Sequence, residues 1–108
     1  MPRPLGLSSL RILAAIRDGS NYGLDIVTST GFASGTVYPT LGRLRRKGLI
    51  RPSWEDQRVA EREGRPRRRY YTLTAEGAEA LASGAKAARG LVDELPGGAG
   101  EPIGDATG

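Results

Sequence analysis

The apolar positions in the first half of the chain recur at helical intervals. Leu10, Leu13 and Ala14 share one face, and Ile12, Ala15 and Ile16 widen the stripe. This predicts a helix running to about Arg17 and buried on more than one side. Ser8 and Ser9 stand before it as candidate caps, since a hydroxyl oxygen there accepts from a free backbone N–H of the first turn. Asp18-Gly19 ends it, glycine supplying the left-handed conformation favoured at helix ends. A second, short helix is expected from Ser20 or Asn21, turning Tyr22, Ile26 and Val27 inward, with Thr30-Gly31-Phe32 as a turn. Ser34 then caps a third helix, Gly35 to about Lys47, whose Val37, Leu41 and Leu44 are four and three residues apart with Tyr38 beside them. Pro39 lies early enough in it to be tolerated. Gly48 closes it.

Beyond Gly48 the pattern changes to that of strands. Leu49 to Glu55 reads as one strand, with Pro52 marking an edge or a bulge. Asp56 to Pro66 is polar and charged and closes on Gly64-Arg65-Pro66, so it reads as a loop. Arg68 to Leu73 is a second strand rich in β-formers, and the two make an antiparallel hairpin. Thr74 caps a last helix with Glu76 in its first turn. Ala78, Leu81, Ala82, Ala85, Ala88, Leu91, Val92 and Leu95 form one stripe about five turns long. Gly84 and Gly90 weaken that helix by about 1 kcal/mol each relative to alanine. Such a helix is marginal alone and requires a partner. From Pro96 onward, glycine and proline dominate and a disordered extension is expected.

Helix, helix, turn, helix, hairpin, helix is a mainly α fold with a small β-hairpin: a winged helix-turn-helix followed by a dimerisation helix. The expected divisions are 1–74 for the DNA-binding unit, 75–95 for the C-terminal helix and 96–108 for the tail. A length of 108 residues suits one domain, and 38% hydrophobic content is thin for a monomer, so part of the apolar surface is expected to be buried between two copies. The apolar runs are too short to span a membrane, and the N-terminus MPRPLGLSSL lacks the build of a secretory signal, so a cytoplasmic protein without membrane contact is expected.

The chain holds neither cysteine nor histidine. Disulfides, thiolate nucleophiles, Cys/His zinc sites and histidine acid–base catalysis are thereby excluded. The remaining carboxylates and hydroxyls form no catalytic pattern, so neither an enzyme nor a cofactor or metal site is expected. The charge distribution points elsewhere. Arg43 to Tyr71 holds eleven basic and four acidic residues, a local net charge of +7 in a chain whose total is +4. Taken alone, that run is either a polyanion-binding face or a solvated arginine-rich loop. It coincides, however, with the second half of the recognition helix and with the whole wing, which favours DNA. A winged-helix module for protein contacts is the alternative. An RNA-binding protein would require exposed aromatics for stacking.

The sequence also resembles a known family, the PadR-type transcriptional regulators. The resemblance rests on Tyr22-Gly23-Leu24-Asp25-Ile26, on the block G-T-V-Y-P-T-L-x-R-L-x-x-x-G-L-I from Gly35 to Ile50, and on Arg67-Arg68-Arg69-Tyr70-Tyr71-Thr72-Leu73-Thr74. It covers about residues 8 to 95. It implies a bacterial cytosolic repressor that dimerises through its last helix, often with help from the first, and that answers to a small-molecule effector. Arg45 stands where the family often carries an acidic residue, and the last helix is unusually rich in alanine and glycine.

Specific roles follow for individual residues. Ser34, Thr36, Tyr38 and Thr40 offer hydroxyls around the start of the recognition helix, where amides and hydroxyls commonly hold phosphates; alternatively Ser34 only caps and Tyr38 only packs. Gly35 lets the backbone come close to a duplex, or simply suits the helix start. Arg43 and Arg46 are expected at phosphates or guanine edges, or solvated. In the wing, Arg65 and Arg67 are assigned to phosphates and Arg69 to a carboxylate within the fold, because strand residues alternate faces. Tyr70, Tyr71 and Trp54 read as hairpin packing. Leu10, Leu81, Ala85, Ala88, Val92 and Leu95 are assigned to the dimer interface, against packing within one chain.

Overall fold

A computed structural model describes residues 5–93. The expected Leu95 and the tail 96–108 lie outside them. Helix α1 (Leu7–Arg17) starts earlier than the serines suggest, by less than a turn: Gly6 is its cap residue, without a side-chain capping bond, and Ser9 is buried inside the first turn. The Gly6 carbonyl accepts from the Leu10 amide at 3.1 Å, which draws Ser8 and Ser9 into the helix.

Helix α2 (Gly23–Thr30) begins later than expected, with Tyr22 extended at its cap position. The reason is long-range. Tyr22 forms an antiparallel bridge with Tyr70, and the Tyr71 amide donates to the Asn21 carbonyl at 2.7 Å. Strand pairing holds these two residues out of the helix. Helix α3 (Ser34–Arg46) is capped by Ala33, whose carbonyl accepts from the Thr36 and Val37 amides, so Ser34 is the first helical residue and not the cap. Val37, Thr40, Leu41 and Leu44 form its buried stripe, and Pro39 sits inside it on the solvent side.

Strand β1 (Ile50–Trp54) and strand β2 (Arg69–Leu73) pair antiparallel, Ile50 opposite Leu73 and Trp54 opposite Arg69. Between them the expected loop contains a short helix, α4 (Gln57–Arg62), capped by Asp56, whose Oδ1 accepts from the Arg58 amide at 2.9 Å. Helix α5 (Ala75–Asp93) opens at Thr74 as expected: its Oγ1 accepts from the Gly77 amide at 3.0 Å and donates to the Gly48 carbonyl at 2.7 Å. Gly77 lies directly against the Leu49 carbonyl, leaving no room for a side chain. The hydroxyl and the missing Cβ together set the start of α5 on the turn that follows α3.

One core results, built from Ile12, Leu13 and Ile16 of α1, Ile26 of α2, Val37, Leu41 and Leu44 of α3, Ile50 of β1 and Leu81 of α5. Truncating any of its leucines to alanine is expected to cost about 2–5 kcal/mol. Leu81 therefore packs within one chain, at 6% exposure, which corrects its assignment to the dimer interface. Among the described residues, no buried polar side-chain atom lacks a hydrogen-bond partner. No helix is long and apolar enough to cross a membrane among the described residues.

Candidate nucleic-acid interface

With the stripe of Val37, Thr40, Leu41 and Leu44 turned inward, α3 presents Ser34, Gly35, Thr36, Tyr38, Arg43 and Arg46 to solvent. Thr40 does not join them. It is 1% exposed, and its Oγ1 accepts from Arg43 Nη2 at 3.0 Å. Its place between Val37 and Leu44 at helical spacing puts it on the core face, where it steadies Arg43 instead of meeting a ligand. A Cβ added at Gly35 would meet nothing within 4 Å. The fold itself thus has no steric need for glycine there.

The wing is organised around Glu55. This carboxylate is 7% exposed, yet it receives four hydrogen bonds. Arg65 donates from Nη1 to Oε1 at 2.7 Å and from Nη2 to Oε2 at 2.8 Å, a two-pronged pair. The Arg68 amide donates to Oε1 at 3.1 Å and the Tyr70 hydroxyl to Oε2 at 3.2 Å. Bonding from Arg65 above all, then from the Arg68 amide and Tyr70, holds the Glu55 carboxyl down at about 2 despite its burial. The same pair, reinforced by Glu63, raises the Arg65 pKa further above its already high value.

In this network two arginines have partners other than those expected. Arg65, expected at a phosphate, is engaged by Glu55 and Glu63. Arg69, expected to find a carboxylate, instead lies over the rings of Trp54 at 5.7 Å and Tyr71 at 6.0 Å. The pleat explains the exchange. Arg69 sits opposite Trp54 and shares its face, while Glu55, one residue on, turns to the other face.

Arg67 lies over Trp54 at 5.0 Å, on a tryptophan that is 58% exposed and so not buried hairpin packing. Arg68 lies over the Tyr22 ring at 4.1 Å, and Tyr22 meets Tyr70 edge-on at 5.9 Å between centroids. Aromatic faces attract guanidinium groups and limit their rotamers without neutralising their charge. Arg67, Arg68 and Arg69 make no ion pair among the described residues.

A groove of about 620 Å3 joins these parts. Tyr22, Leu24, Asp25 and Thr28 of the α2 region and Tyr38 of α3 line it on one side, and Arg65, Arg67, Arg68 and Arg69 of the wing on the other. The structure therefore brings Tyr38 and Arg67 together across a cationic cleft. Arg43 and Arg46 lie further along α3, with Arg46 folded back towards Gly42. Tyr22, Arg68 and Trp54 belong to this surface without any local sequence signal that places them there. The first two meet because Tyr22 bridges to Tyr70, a non-local pairing that leaves no trace in local periodicity.

A second groove, of about 510 Å3 and apolar, runs between the start of α1 and α5, where Leu5, Leu7, Leu10, Gly84, Ala88 and Leu91 line it. Of the residues expected at a dimer interface, Leu10 and Ala88 face this groove, Ala85 is half-buried beside it, and Val92 is exposed. Leu10 reaches into the space that a side chain at position 84 would occupy.

The profile of the transcriptional regulator PadR-like family matches residues 12–83. Several solved structures share the fold. A PadR family transcription regulator from Clostridium difficile superposes with a TM-score of 0.70 at 25% identity, covering 80% of this chain and 91% of that one. A PadR-like transcription factor from Bacteroides fragilis gives 0.68 at 25% identity, with 80% and 84% covered. A PadR-like regulator from Bacillus cereus gives 0.64 at 28% identity, with 82% and 85% covered. No curated protein matches the sequence.

Proposed function

The chain belongs to the PadR-like family of transcriptional regulators, which are not enzymes, and from that premise we propose that it is a homodimeric repressor binding a pseudo-palindromic operator. The observation that carries this reading is the cleft between Tyr38 and the wing, edged by Arg67, Arg68 and Arg69, which make no ion pair among the described residues. Ser34, Thr36 and Tyr38 would lie at the duplex with Gly35 allowing close approach, while Arg67 and Arg68 of the wing take phosphates and Arg43 and Arg46 extend the positive face along α3. Phosphate neutralisation releases counterions, so affinity falls steeply with salt.

In this reading two copies join through the apolar groove of α1 and α5, with Leu10, Ala85, Ala88 and Val92 contributing. Their recognition helices then enter successive major grooves roughly one helical turn (~34 Å) apart. A small-molecule effector would release the operator by changing the angle between the two heads. In this reading residues 1–74 serve as the DNA-binding unit and 75–95 as the dimerisation element. Sequencing the genomic DNA retained by the purified protein at moderate salt tests the reading. A shared palindromic motif supports it. Failure to retain duplex DNA would favour a winged-helix module that contacts proteins.

A further inference from the structure

Glu55 poses an electrostatic puzzle. It places a buried negative charge in the most basic part of the chain, beside a surface proposed to bind a polyanion. Simple charge counting says that its removal should strengthen DNA binding. The geometry points to the opposite, and we propose that Glu55 is a positioning residue for DNA binding, one that engages Arg65 in an ion pair at the edge of the groove and so holds Arg67 and Arg68 in place. This inference rests on the DNA-binding reading above.

The connections are direct. Glu55 and Arg68 exchange backbone and side-chain bonds: the Glu55 amide donates to the Arg68 carbonyl at 2.9 Å, and the Arg68 amide donates to Glu55 Oε1 at 3.1 Å. Arg65 ties the segment just before β2 to the same carboxylate from the other side. Arg67 therefore lies between two anchored residues, with the Trp54 ring beneath its guanidinium. Through Tyr70, Glu55 also steadies the Tyr22 ring on which Arg68 rests. One carboxylate thus sets the backbone of the wing arginines and, through two aromatic rings, the platform of one of them. Without it, these long side chains and their loop would have to be ordered on binding, at a cost of a few-fold in affinity for each.

The test uses the full chain and a mixed-sequence duplex of about 30 base pairs, because the electrostatic part of binding needs no operator. Affinities are measured between roughly 50 and 200 mM salt and referred to the folded fraction read by circular dichroism. Glu55→Gln is expected to bind about tenfold more weakly than the parent although it is more positive. Its dependence of log affinity on log salt is expected to be shallower by about one for each phosphate no longer neutralised. Glu61→Gln, the same charge change at an exposed residue of α4 whose carboxylate accepts from Gln57, should bind as tightly as the parent or tighter. Arg65→Gln should weaken binding alone and add nothing in the Glu55→Gln background.

Equal or tighter binding by Glu55→Gln overturns the inference, as does a steeper salt dependence, which would show the released Arg65 gaining a phosphate. Additive losses from the two substitutions overturn it too, because they would make Arg65 a contact in its own right. Should Glu55→Gln fail to fold, Tyr70→Phe removes only the phenol's bond to Glu55 and is expected to weaken binding a few-fold; unchanged binding overturns the inference. A parent protein that does not bind the duplex overturns the DNA-binding reading itself and this inference with it.

Discussion

The phenol of Tyr38 rests on Gly23, where the start of α2 meets the outer side of α3. A Cβ at position 23 would fall 2.5 Å from Tyr38 Oη and 2.7 Å from Cζ. Glycine here is a seat for a ring, and the ring in turn forms part of one bank of the cationic cleft.

Gly23→Ala should therefore displace Tyr38 and cost about 1–2 kcal/mol through overpacking. In a Tyr38→Ala background that steric cost should disappear, because the ring that collides is gone. Thermal melts of the four proteins in this cycle check the point. An equal loss from Gly23→Ala in both backgrounds would place its origin elsewhere in α2.

Gly35 and Gly90 both lie within helices, and a Cβ added at either meets nothing within 4 Å. Alanine at each should stabilise the protein by up to about 1 kcal/mol by helix propensity alone. The two should part company in function. Gly35→Ala raises the melting temperature and weakens duplex binding, because the new methyl group stands between α3 and the DNA, whereas Gly90→Ala raises it and leaves binding unchanged. Electrophoretic mobility shifts on the two stabilised variants distinguish these outcomes.

The contrast between these glycines shows how far local pattern reaches. Val37, Leu41 and Leu44 mark α3 by their spacing, and the same spacing places Thr40 among them, so its burial is legible once it is counted as part of the stripe. The cap at Asp56 and the helix-forming residues after it likewise signal α4, though the density of charge reads as a loop. The late start of α2 is not legible, because the pairing of Tyr22 with Tyr70 joins segments far apart in sequence. Nor is the choice of Arg65 over Arg69 as the partner of Glu55. That depends on how the chain enters β2 after the α4 turn, which alternation along a strand cannot supply.

Acid should loosen the wing through one identifiable group. The Glu55 carboxyl is held at about 2 in the fold against an ordinary 4.5, so the unfolded chain binds the proton more readily. The stabilisation from this group is complete above about pH 5 and fades as pH falls towards 2. Glu55→Gln has no such carboxyl. The parent should be the more stable of the two near neutral pH, with the gap closing below pH 4.5. Parallel melts from pH 7 to pH 2.5 read this directly, and a gap that stayed constant would mean that the carboxylate charge contributes nothing to the fold.

Assembly should depend on the far end of α5 and not on the core. Leu7, Leu91 and Val92 are 75%, 65% and 53% exposed, on and beside an apolar groove that one chain leaves open. Leu91 makes no part of the buried core, so Leu91→Glu should leave the melting transition of a single chain intact while placing a charge where a second copy would sit. Sedimentation should find the parent dimeric and the variant monomeric at the same micromolar concentration. A duplex with two half-sites should then be bound about a hundredfold more weakly by the variant, since the second half-site no longer benefits from a tethered head. A single half-site should be bound equally by both. If the variant remained dimeric, the partner surface would have to lie away from the α1–α5 groove, and the spacing expected between the two recognition helices would have to be abandoned.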